Sequence, residues 1–505
     1  MKFIWEKTAS RYFVHSLRLI ALIMILTINV FSQAISDETI AIGDLEKATF
    51  TLNNSNIATI IIPSESTSMI NRAAKELQLY LNKILGVKFA IEDDYSNTNG
   101  LRIHVGMTNY VKQKQIFPSH LNECEEAIII KRDMEGKNLV ISGSTDQSVL
   151  MGVYTFLQEL GCRWPLPDPV WKHIPKANKI EIGFLDKIIK PSFPIRGYLY
   201  RGTYDLWDWM SFNRMNYHHQ DPPAYGNAKA MGAYGIKVAF MSHSFLYWVP
   251  PEVLAEHPDW APFINGKRIL PTIGVYPVVN NQLCISNQEL VSYVADKVLD
   301  YMQKYPDVGI VSLEPNDGGG YCECSACSQM AEDWSTRLMI FTNQIAEITS
   351  QEFPNRKIGR LAYANHVSPP KVEPHKNVWV GICIWRELGK YMDTPENKPY
   401  LDEIKEWSSD GHRLWVYEYF QRTTWPFYIT PLAYVLGYDI KNVYEPLGVT
   451  GFLPETLTPS VLPAMKVGNY VYMNLLWNSS HDVDDLIRDF CNSMFGAAAD
   501  IMYDY

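Results

Sequence analysis

Eight short apolar segments in the later part of this chain alternate with segments of helical character, and this alternation constrains the fold most. Runs of aliphatic and β-branched residues are typical of strands buried in a parallel sheet. Strands that alternate with helices predict parallel β/α units, and eight units predict a closed (β/α)₈ barrel. The strand candidates are residues 195–200, 215–219, 237–241, 309–314, 358–363, 378–385, 414–419 and 451–454.

The fourth strand candidate ends in a group of polar residues. Residues 309–317 read GIVSLEPND, so the apolar run stops at Glu314, and Asn316 and Asp317 follow directly. In barrels of this type the catalytic groups lie at the carboxyl ends of the strands. The sequence therefore places these carboxyl groups at a candidate catalytic rim.

A smaller α/β domain is predicted before the barrel, over residues 38–190. It contains a strand at 57–62, an amphipathic helix at 68–85 that ends at Gly86, and a hairpin formed by 127–131 and 138–142. A link rich in proline separates this domain from the barrel. We therefore expect an α/β chain with a small amino-terminal domain followed by a barrel over 191–505.

Residues 1–34 have the order of a signal peptide. Basic residues come first, an apolar stretch covers 19–31, and the small-residue motif Ser-Gln-Ala ends the segment at 34. The stretch is too short to span a bilayer easily. We expect export to the periplasm or the extracellular space, with no stable membrane insertion after cleavage, and an uncleaved anchor is the alternative.

Charge and aromatic content limit the class of partner. The net charge is −10 and the pI is about 5.7, which argues against a nucleic-acid partner because phosphates repel an acidic surface. Aromatic residues make up 13% of the chain. They fit either a large aromatic core or a cleft in which aromatic faces stack on sugar rings.

Short motifs give the chain a resemblance to known families. The first domain resembles the α/β domain that precedes the barrel in α-glucuronidases and β-hexosaminidases, and the barrel resembles the family called domain of unknown function 4838. The first resemblance is carried by Ala73-Ala74-Lys75-Glu76-Leu77, His104-Val105-Gly106 and Leu160-Gly161-Cys162-Arg163-Trp164. The second is carried by Glu256-His257-Pro258, Gly266-Lys267-Arg268, Leu283-Cys284, Asn316-Asp317-Gly318 and Cys322-x-Cys324-x-x-Cys327.

This resemblance implies a glycoside hydrolase. Some members of the group belong to glycoside hydrolase family 163, which are endo-β-N-acetylglucosaminidases that act on complex N-glycans, and many others have no assigned activity. Related chains continue past the barrel into another domain, whereas this one stops at Tyr505 inside a predicted helix. A truncation of the barrel at its carboxyl end is therefore left open.

Four carboxyl groups are candidates for the chemistry. Glycoside hydrolysis needs two carboxyl groups that flank the scissile bond, or one acid that works with the substrate's acetamido group. We expect Glu314 or Asp317 to be the general acid. Glu418 or Glu455, on the seventh and eighth strands, is expected to be the nucleophile or base. The alternative for each residue is a solvated or ion-paired carboxylate.

Five residues are candidates for substrate binding, without a metal or another cofactor. Arg196 stands in a Phe-x-x-Arg-Gly context, which in hexosaminidase-like barrels implies contact with sugar hydroxyls, and an ion pair at the bottom of the barrel is its alternative. A sugar contact is expected for one of the histidines near strands two and three, and a structural role for the others. The candidates are Arg196, His218, His243, Asn316 and Trp385.

The cysteines at 322, 324 and 327 form a close cluster that Cys284 could join. A disulfide is the first expectation in an exported chain, and structural zinc is the alternative. For the whole chain, the expected function is an exported hydrolase that cleaves β-N-acetylhexosaminyl glycans or glycans bearing uronic acids. A barrel that binds carbohydrate without cleaving it is the rival interpretation, and a polysaccharide lyase is a third.

Overall fold

The structure is a computed structural model that describes most of the chain after residue 37. The described ranges are 38–45, 49–96, 99–121, 126–167, 169–199, 204–219, 228–274, 280–387, 389–409, 413–419, 432–455 and 466–505. The predicted signal segment, 1–34, lies outside them. Within these ranges, no helix is both long and apolar enough to cross a membrane.

Two small sheets form the amino-terminal part. The six-stranded sheet has the order β4-β3-β5-β7-β6-β9, and the three-stranded sheet has the order β1-β8-β2. The hairpin predicted near 127–142 is present, because β6 and β7 pair in antiparallel register. The strands are β1 Thr39–Ile42, β2 Phe50–Asn53, β3 Thr59–Ile62, β4 Ala90–Asp93, β5 Arg102–Val105, β6 Ile128–Arg132, β7 Asn138–Gly143, β8 Lys179–Ile182 and β9 Asp186–Ile189.

Helix α1, Ser68–Leu85, packs on the six-stranded sheet together with a second helix, Asp146–Glu159. The Thr67 side chain accepts a hydrogen bond from the Ile70 amide and so caps the start of α1. Gly86 ends the helix with a φ of 69°, a left-handed conformation that glycine adopts without strain. The apolar face of α1 is fully buried, as the spacing of its apolar residues predicts.

His104 on β5 is buried and neutral. Its Nδ1 atom lies 3.1 Å from Thr108 Oγ1, and its Nε2 atom lies 3.1 Å from Asn138 Oδ1. The imidazole ring stacks on the ring of Tyr110. Burial lowers the pKa of His104 to about 4, against about 6.5 in an unfolded chain. Acidification therefore protonates the unfolded state first and removes stability as the pH falls from about 6.5 towards 4.

When the pH is lowered from 7 to 5, we expect His104 to decrease the free energy of unfolding by about 2 kcal/mol. Urea unfolding of the wild type and of His104→Gln at the two pH values measures it. The difference in unfolding free energy between the two proteins should narrow at pH 5, because only the wild type carries the titrating ring. An unchanged difference contradicts the assignment.

The barrel is closed and parallel, in the order β10-β11-β12-β15-β16-β17-β18-β19. All eight strands predicted from the sequence are present, so the (β/α)₈ fold is confirmed. An antiparallel hairpin, β13 and β14, lies in the long insertion between the third and fourth barrel strands. The strands are β10 Ile195–Leu199, β11 Tyr217–His219, β12 Lys237–Ala239, β13 Phe263–Ile264, β14 Lys267–Arg268, β15 Val308–Ser312, β16 Lys357–Ala362, β17 Val378–Ile384, β18 Leu414–Glu418 and β19 Gly451–Phe452.

Helices follow the barrel strands and form the outer layer. An apolar stripe faces the strands in the long helix 288–304, with Asn287 as its amino-terminal cap. Including helix 288–304, the other α-helices of the described chain are as follows: Asn109–Gln113, Tyr204–Phe212, Ala228–Gly232, Phe245–Trp248, Pro251–Glu256, Gln288–Lys304, Ser325–Met330, Trp334–Glu352, Lys398–Ser409, Leu432–Asp439, Lys466–Trp477, Val483–Phe495 and Ala499–Asp504.

Side chains that point into the barrel form a core distinct from the one between strands and helices. The barrel core consists of Ile195, Tyr217, Ala239, Met241, Ile310, Leu361, Trp379, Trp415, Tyr417 and Leu453. Gly381 makes room for Trp415, because a Cβ atom at Gly381 would lie 2.1 Å from the indole ring. Since side chains alternate along a strand, this core identifies which residues of each strand face the axis.

Candidate active site

Asp317 lies on the loop after β15, at the carboxyl end of the barrel. Its side chain is 51% exposed. Its Oδ1 atom accepts a hydrogen bond from the Tyr363 hydroxyl at 3.4 Å and lies 3.8 Å from Nε2 of His243. His243 is itself one-third exposed and follows β12. Strands three, four and five thus bring an acid, an imidazole and a phenol to one accessible point.

The loop that carries Asp317 is fixed by amide contacts. Asn316 is buried, and its side chain bonds the Leu246 amide at 3.3 Å and the Asn281 carbonyl at 2.7 Å. Gln282 bonds both the amide and the carbonyl of Asn316. The Asn316 amide therefore positions the neighbouring acid, and its contact with substrate stays a prediction.

Glu314 is completely buried just below Asp317. Its carboxylate bonds Nε2 of His366 at 2.7 Å and accepts the Leu361 amide at 2.8 Å. Burial alone would raise its pKa, but the nearby His366 and Arg360 lower the pKa below its ordinary value. A carboxylate held ionised cannot donate a proton, so of the two strand-four candidates for the general acid the accessible one is Asp317.

Glu455 follows β19 and has the same parity as Leu453, whose side chain belongs to the barrel core. It is partly exposed, and its Oε2 atom accepts a hydrogen bond from the Tyr417 hydroxyl at 3.3 Å. This places a second accessible carboxylate on the inner face of the barrel.

The charges of Glu314 and Glu455 both act on the thiol of Cys383 on β17. Burial raises the pKa of this thiol well above its ordinary value, and the negative charges of the two carboxylates raise it further.

Aromatic side chains line the same mouth. Trp385 follows β17 and is 48% exposed. Its ring centroid lies 4.7 Å from that of Tyr419, which in turn packs against Tyr417 at 5.3 Å. A flat, exposed indole at this position is consistent with its predicted role as a sugar-binding surface.

Glu418 does not belong to this group, which corrects the expectation that it is catalytic. Trp415 and Tyr417 point into the barrel, so Glu418 points outwards between strands and helices. There Arg386 holds its carboxylate with two bonds of 3.1 and 3.2 Å and also contacts Asp439 at 2.7 Å. The Tyr444 hydroxyl also donates to Glu418.

Glu418→Gln is therefore expected to destabilise the protein by about 3 kcal/mol, because it weakens a buried ion pair. Its catalytic rate per folded molecule should stay near that of the wild type. Chemical denaturation gives the free energy of unfolding, and turnover at a temperature where the variant is folded gives the rate. A rate loss of tenfold or more in the folded variant contradicts the structural role.

Arg196 also has a structural place and is not available to sugar. It lies at the amino end of β10, completely buried, with Nη1 2.7 Å from Glu126 Oε2 and Nε 2.9 Å from the Arg214 carbonyl. This is the ion pair at the bottom of the barrel that the sequence offers as its alternative. This place argues against the predicted substrate contact, because barrels of this type bind substrate at the opposite end, at the carboxyl ends of the strands.

The predicted role of His218 in sugar binding is also corrected. His218 pairs in register with Tyr198 and Val238, which belong to the outer core, so its side chain faces the helices. Its neighbour His219 faces the axis, with its ring 5.6 Å from that of Tyr417. Strand parity thus favours His219 for the barrel mouth.

Tyr363, Tyr417 and His366 are site residues that our sequence reasoning missed. Tyr363 and Tyr417 contact the two accessible acids, and His366 holds Glu314. A tyrosine at the end of a strand, in phase with inward-facing residues, is the signal that could have found the first two. His366 ends a short 3₁₀ helix, Ala364–His366, and gives no such signal.

Residues 200–203, 220–227, 420–431 and 456–465 follow four of the barrel strands in the sequence and lie outside the described residues. A cavity of about 390 Å³ lies at the opposite end of the barrel, at the amino ends of the strands, and is lined by Tyr217, Lys237 and Gly309 among others.

Comparison with known families extends over most of the chain. The family described as Domain of unknown function (DUF4838) matches residues 167–505. The family described as Glycosyl hydrolase family 67 N-terminus matches residues 43–156. Both agree with the resemblance seen in the sequence motifs. Among curated proteins, no sequence matches this chain.

Several solved structures share the fold at low sequence identity. One is a family GH115 4-O-methyl-α-glucuronidase with specificity for decorated arabinogalactans, with a TM-score of 0.64 and 14% identity over 90% of this chain and 61% of that chain. Another is a β-N-acetylhexosaminidase from Bacteroides fragilis, with a TM-score of 0.50 and 13% identity over 87% of this chain and 90% of the other. The chain thus spans less than two thirds of the glucuronidase. At such identities these likenesses show the fold.

Proposed function

Since the chain belongs to the DUF4838 family, whose match covers the whole barrel, we propose that it is an exported glycoside hydrolase. The observation that carries the proposal is the pair of accessible carboxyl groups, Asp317 and Glu455, at the carboxyl end of a closed barrel. Hydrolysis of a glycosidic bond needs two carboxyl groups that flank the scissile bond. Export rests on the order of residues in segment 1–34.

Asp317 is assigned as the general acid that protonates the leaving-group oxygen. It is the more exposed of the two acids, and Tyr363 and His243 fix its direction. A sugar bound in the mouth of the barrel can present its glycosidic oxygen to this side. Proton transfer at that oxygen supplies about 10²–10⁴ in rate for a poor leaving group.

Glu455 is assigned as the nucleophile or base. Tyr417 donates a hydrogen bond to its carboxylate and so orients the group. Glu314 is too buried to touch the sugar. Its fixed negative charge next to His366 instead adds to the field that stabilises a positively charged, oxocarbenium-like transition state.

For the substrate we propose a glycan that contains β-N-acetylhexosaminyl residues, with a glycan bearing uronic acids as the second candidate. Trp385 and Tyr419 offer an aromatic surface for a pyranose ring, which suits both. The named activities of the two structural neighbours correspond to these two classes, and each activity belongs to its own protein.

A panel of natural glycans and aryl glycosides, read by mass spectrometry, tests the proposal. It should contain N-glycans, β-N-acetylhexosaminides and α-glucuronides. We expect the wild type to release sugar from one of these classes. Binding of a glycan without cleavage by the folded full chain favours the rival interpretation, a barrel that only binds carbohydrate.

A further inference from the structure

Four cysteine side chains come together behind the Asp317 loop. They are Cys284, from the insertion between β12 and β15, Cys322 and Cys324, from the loop after β15, and Cys327, on the helix Ser325–Met330 that follows. All four sulfur atoms lie within 4.8 Å of one another. Three of the residues are buried, and Cys324 is partly exposed. The cluster therefore forms a compact pocket of thiols.

The sulfur separations fit a metal better than disulfides. Cys284 Sγ lies 3.7 Å from Cys324 Sγ and 3.9 Å from Cys327 Sγ. A disulfide needs about 2.05 Å between its sulfurs. A tetrahedral zinc with Zn–S bonds of about 2.3 Å sets the sulfurs about 3.8 Å apart. We propose that these four thiolates bind one structural Zn²⁺ ion.

Neighbouring amide and hydroxyl groups make hydrogen bonds to the sulfur atoms of the cluster. The Phe263 amide donates to Cys322 Sγ at 3.3 Å, and the Cys327 amide donates to Cys324 Sγ at 3.4 Å. Ser286 Oγ lies 3.1 Å from Cys327 Sγ. Such contacts orient metal ligands and spread their charge.

A positive charge also accompanies the thiolates. Arg268 on β14 lies with Nη1 3.8 Å from Cys322 Sγ, and the same nitrogen bonds the Ala261 carbonyl at 2.6 Å. One Zn²⁺ with four thiolates carries a net charge of −2, which this guanidinium partly offsets. Four sulfurs in tetrahedral arrangement favour zinc or iron among the common metals, and zinc is the one without redox chemistry.

The ion would join two segments that shape the active site. Residues 280–284 run beside the loop that contains Asp317. The Asn280 amide bonds the Asp317 carbonyl at 2.8 Å, and the Gln282 amide bonds the Gly320 carbonyl at 3.2 Å. A zinc ion bound by Cys284 and Cys322 would link the two segments just beyond these hydrogen bonds. This inference holds whether or not the protein is a hydrolase.

Metal content of the purified full chain, measured by mass spectrometry of the elements, tests the proposal. We expect about one zinc per chain and a zinc X-ray absorption spectrum that fits four sulfurs at about 2.3 Å. Cys284→Ala should lose the zinc and lower the melting temperature. Cys491→Ala, which removes a buried thiol on the helix 483–495, is the matched control and should keep the zinc.

Three results would overturn the assignment. The first is zinc below about one tenth per chain after incubation with zinc, with disulfides mapped among these four cysteines. The second is iron in place of zinc. The third is full zinc content in Cys284→Ala. The spectrum of the wild type decides the matter even if Cys284→Ala does not fold.

Discussion

Asp317→Asn is expected to lower the cleavage rate of a natural glycan by about 10²–10⁴, because the leaving group then departs without a proton. An aryl glycoside with an acidic phenol as leaving group should be cleaved far closer to the wild-type rate. The change conserves shape, and the side chain is half exposed. The folded state should therefore survive. Steady-state rates on both substrates measure the effect.

The contrast between the two substrates is the diagnostic part of this prediction. Asp296→Asn, on the exposed face of helix 288–304, is the control and should leave both rates unchanged. If Asp317→Asn slows both substrates equally, the residue does not act as the general acid. If it slows neither, Asp317 is outside the chemistry.

Glu455→Gln is expected to slow the natural glycan and the aryl glycoside alike, by about 10²–10⁴ or more. A nucleophile or base acts on the anomeric side of the reaction, which an easier leaving group does not bypass. The amide can still accept the Tyr417 hydrogen bond, so the local geometry should hold. Rates on both substrates, together with the melting temperature, measure the effect.

Glu406→Gln, on the exposed side of helix 398–409, is the matched control for Glu455→Gln. It changes the same functional group far from the barrel mouth and should retain full activity. Preserved activity of Glu455→Gln on both substrates would remove Glu455 from the reaction. The work of the second carboxyl group would then fall to the substrate's own acetamide or to a residue outside the described chain.

The barrel could be predicted because its information is local. Each strand is a short apolar run, and each run is followed by a helix, so counting the units gives the fold. The carboxyl ends of the strands follow from the same count. This is why Asp317 and Glu455, which come just after strands four and eight, could be named as candidates from the sequence.

The face of a strand residue could also have been read from the sequence, but we misjudged it at two positions. Trp415, Tyr417 and Tyr419 alternate with Glu418, and the aromatic residues face the barrel. Glu418 therefore faces the helices, as His218 does on β11. At Glu418 the structure shows the alternative that the sequence offered, an ion-paired carboxylate, with Arg386 as its partner.

Partners that are distant in the chain could not be predicted. Arg196 pairs with Glu126, and Glu314 pairs with His366, across separations that no local pattern encodes. The same holds for the distances between the four cysteine sulfurs, which decide between a disulfide and a metal. Three-dimensional packing sets these contacts, so the sequence could offer alternatives but could not choose among them.

Hydrolysis in water enriched in ¹⁸O tests the central claim most directly. Wild-type protein and the double variant Asp317→Asn/Glu455→Gln are incubated with the best glycan of the panel, and the products are weighed by mass spectrometry. We predict that the wild type releases a sugar that carries one ¹⁸O atom at its new reducing end, while the double variant leaves the glycan intact. Glycan that stays uncut in both proteins, or an unsaturated product without ¹⁸O from a lyase reaction, would contradict the account.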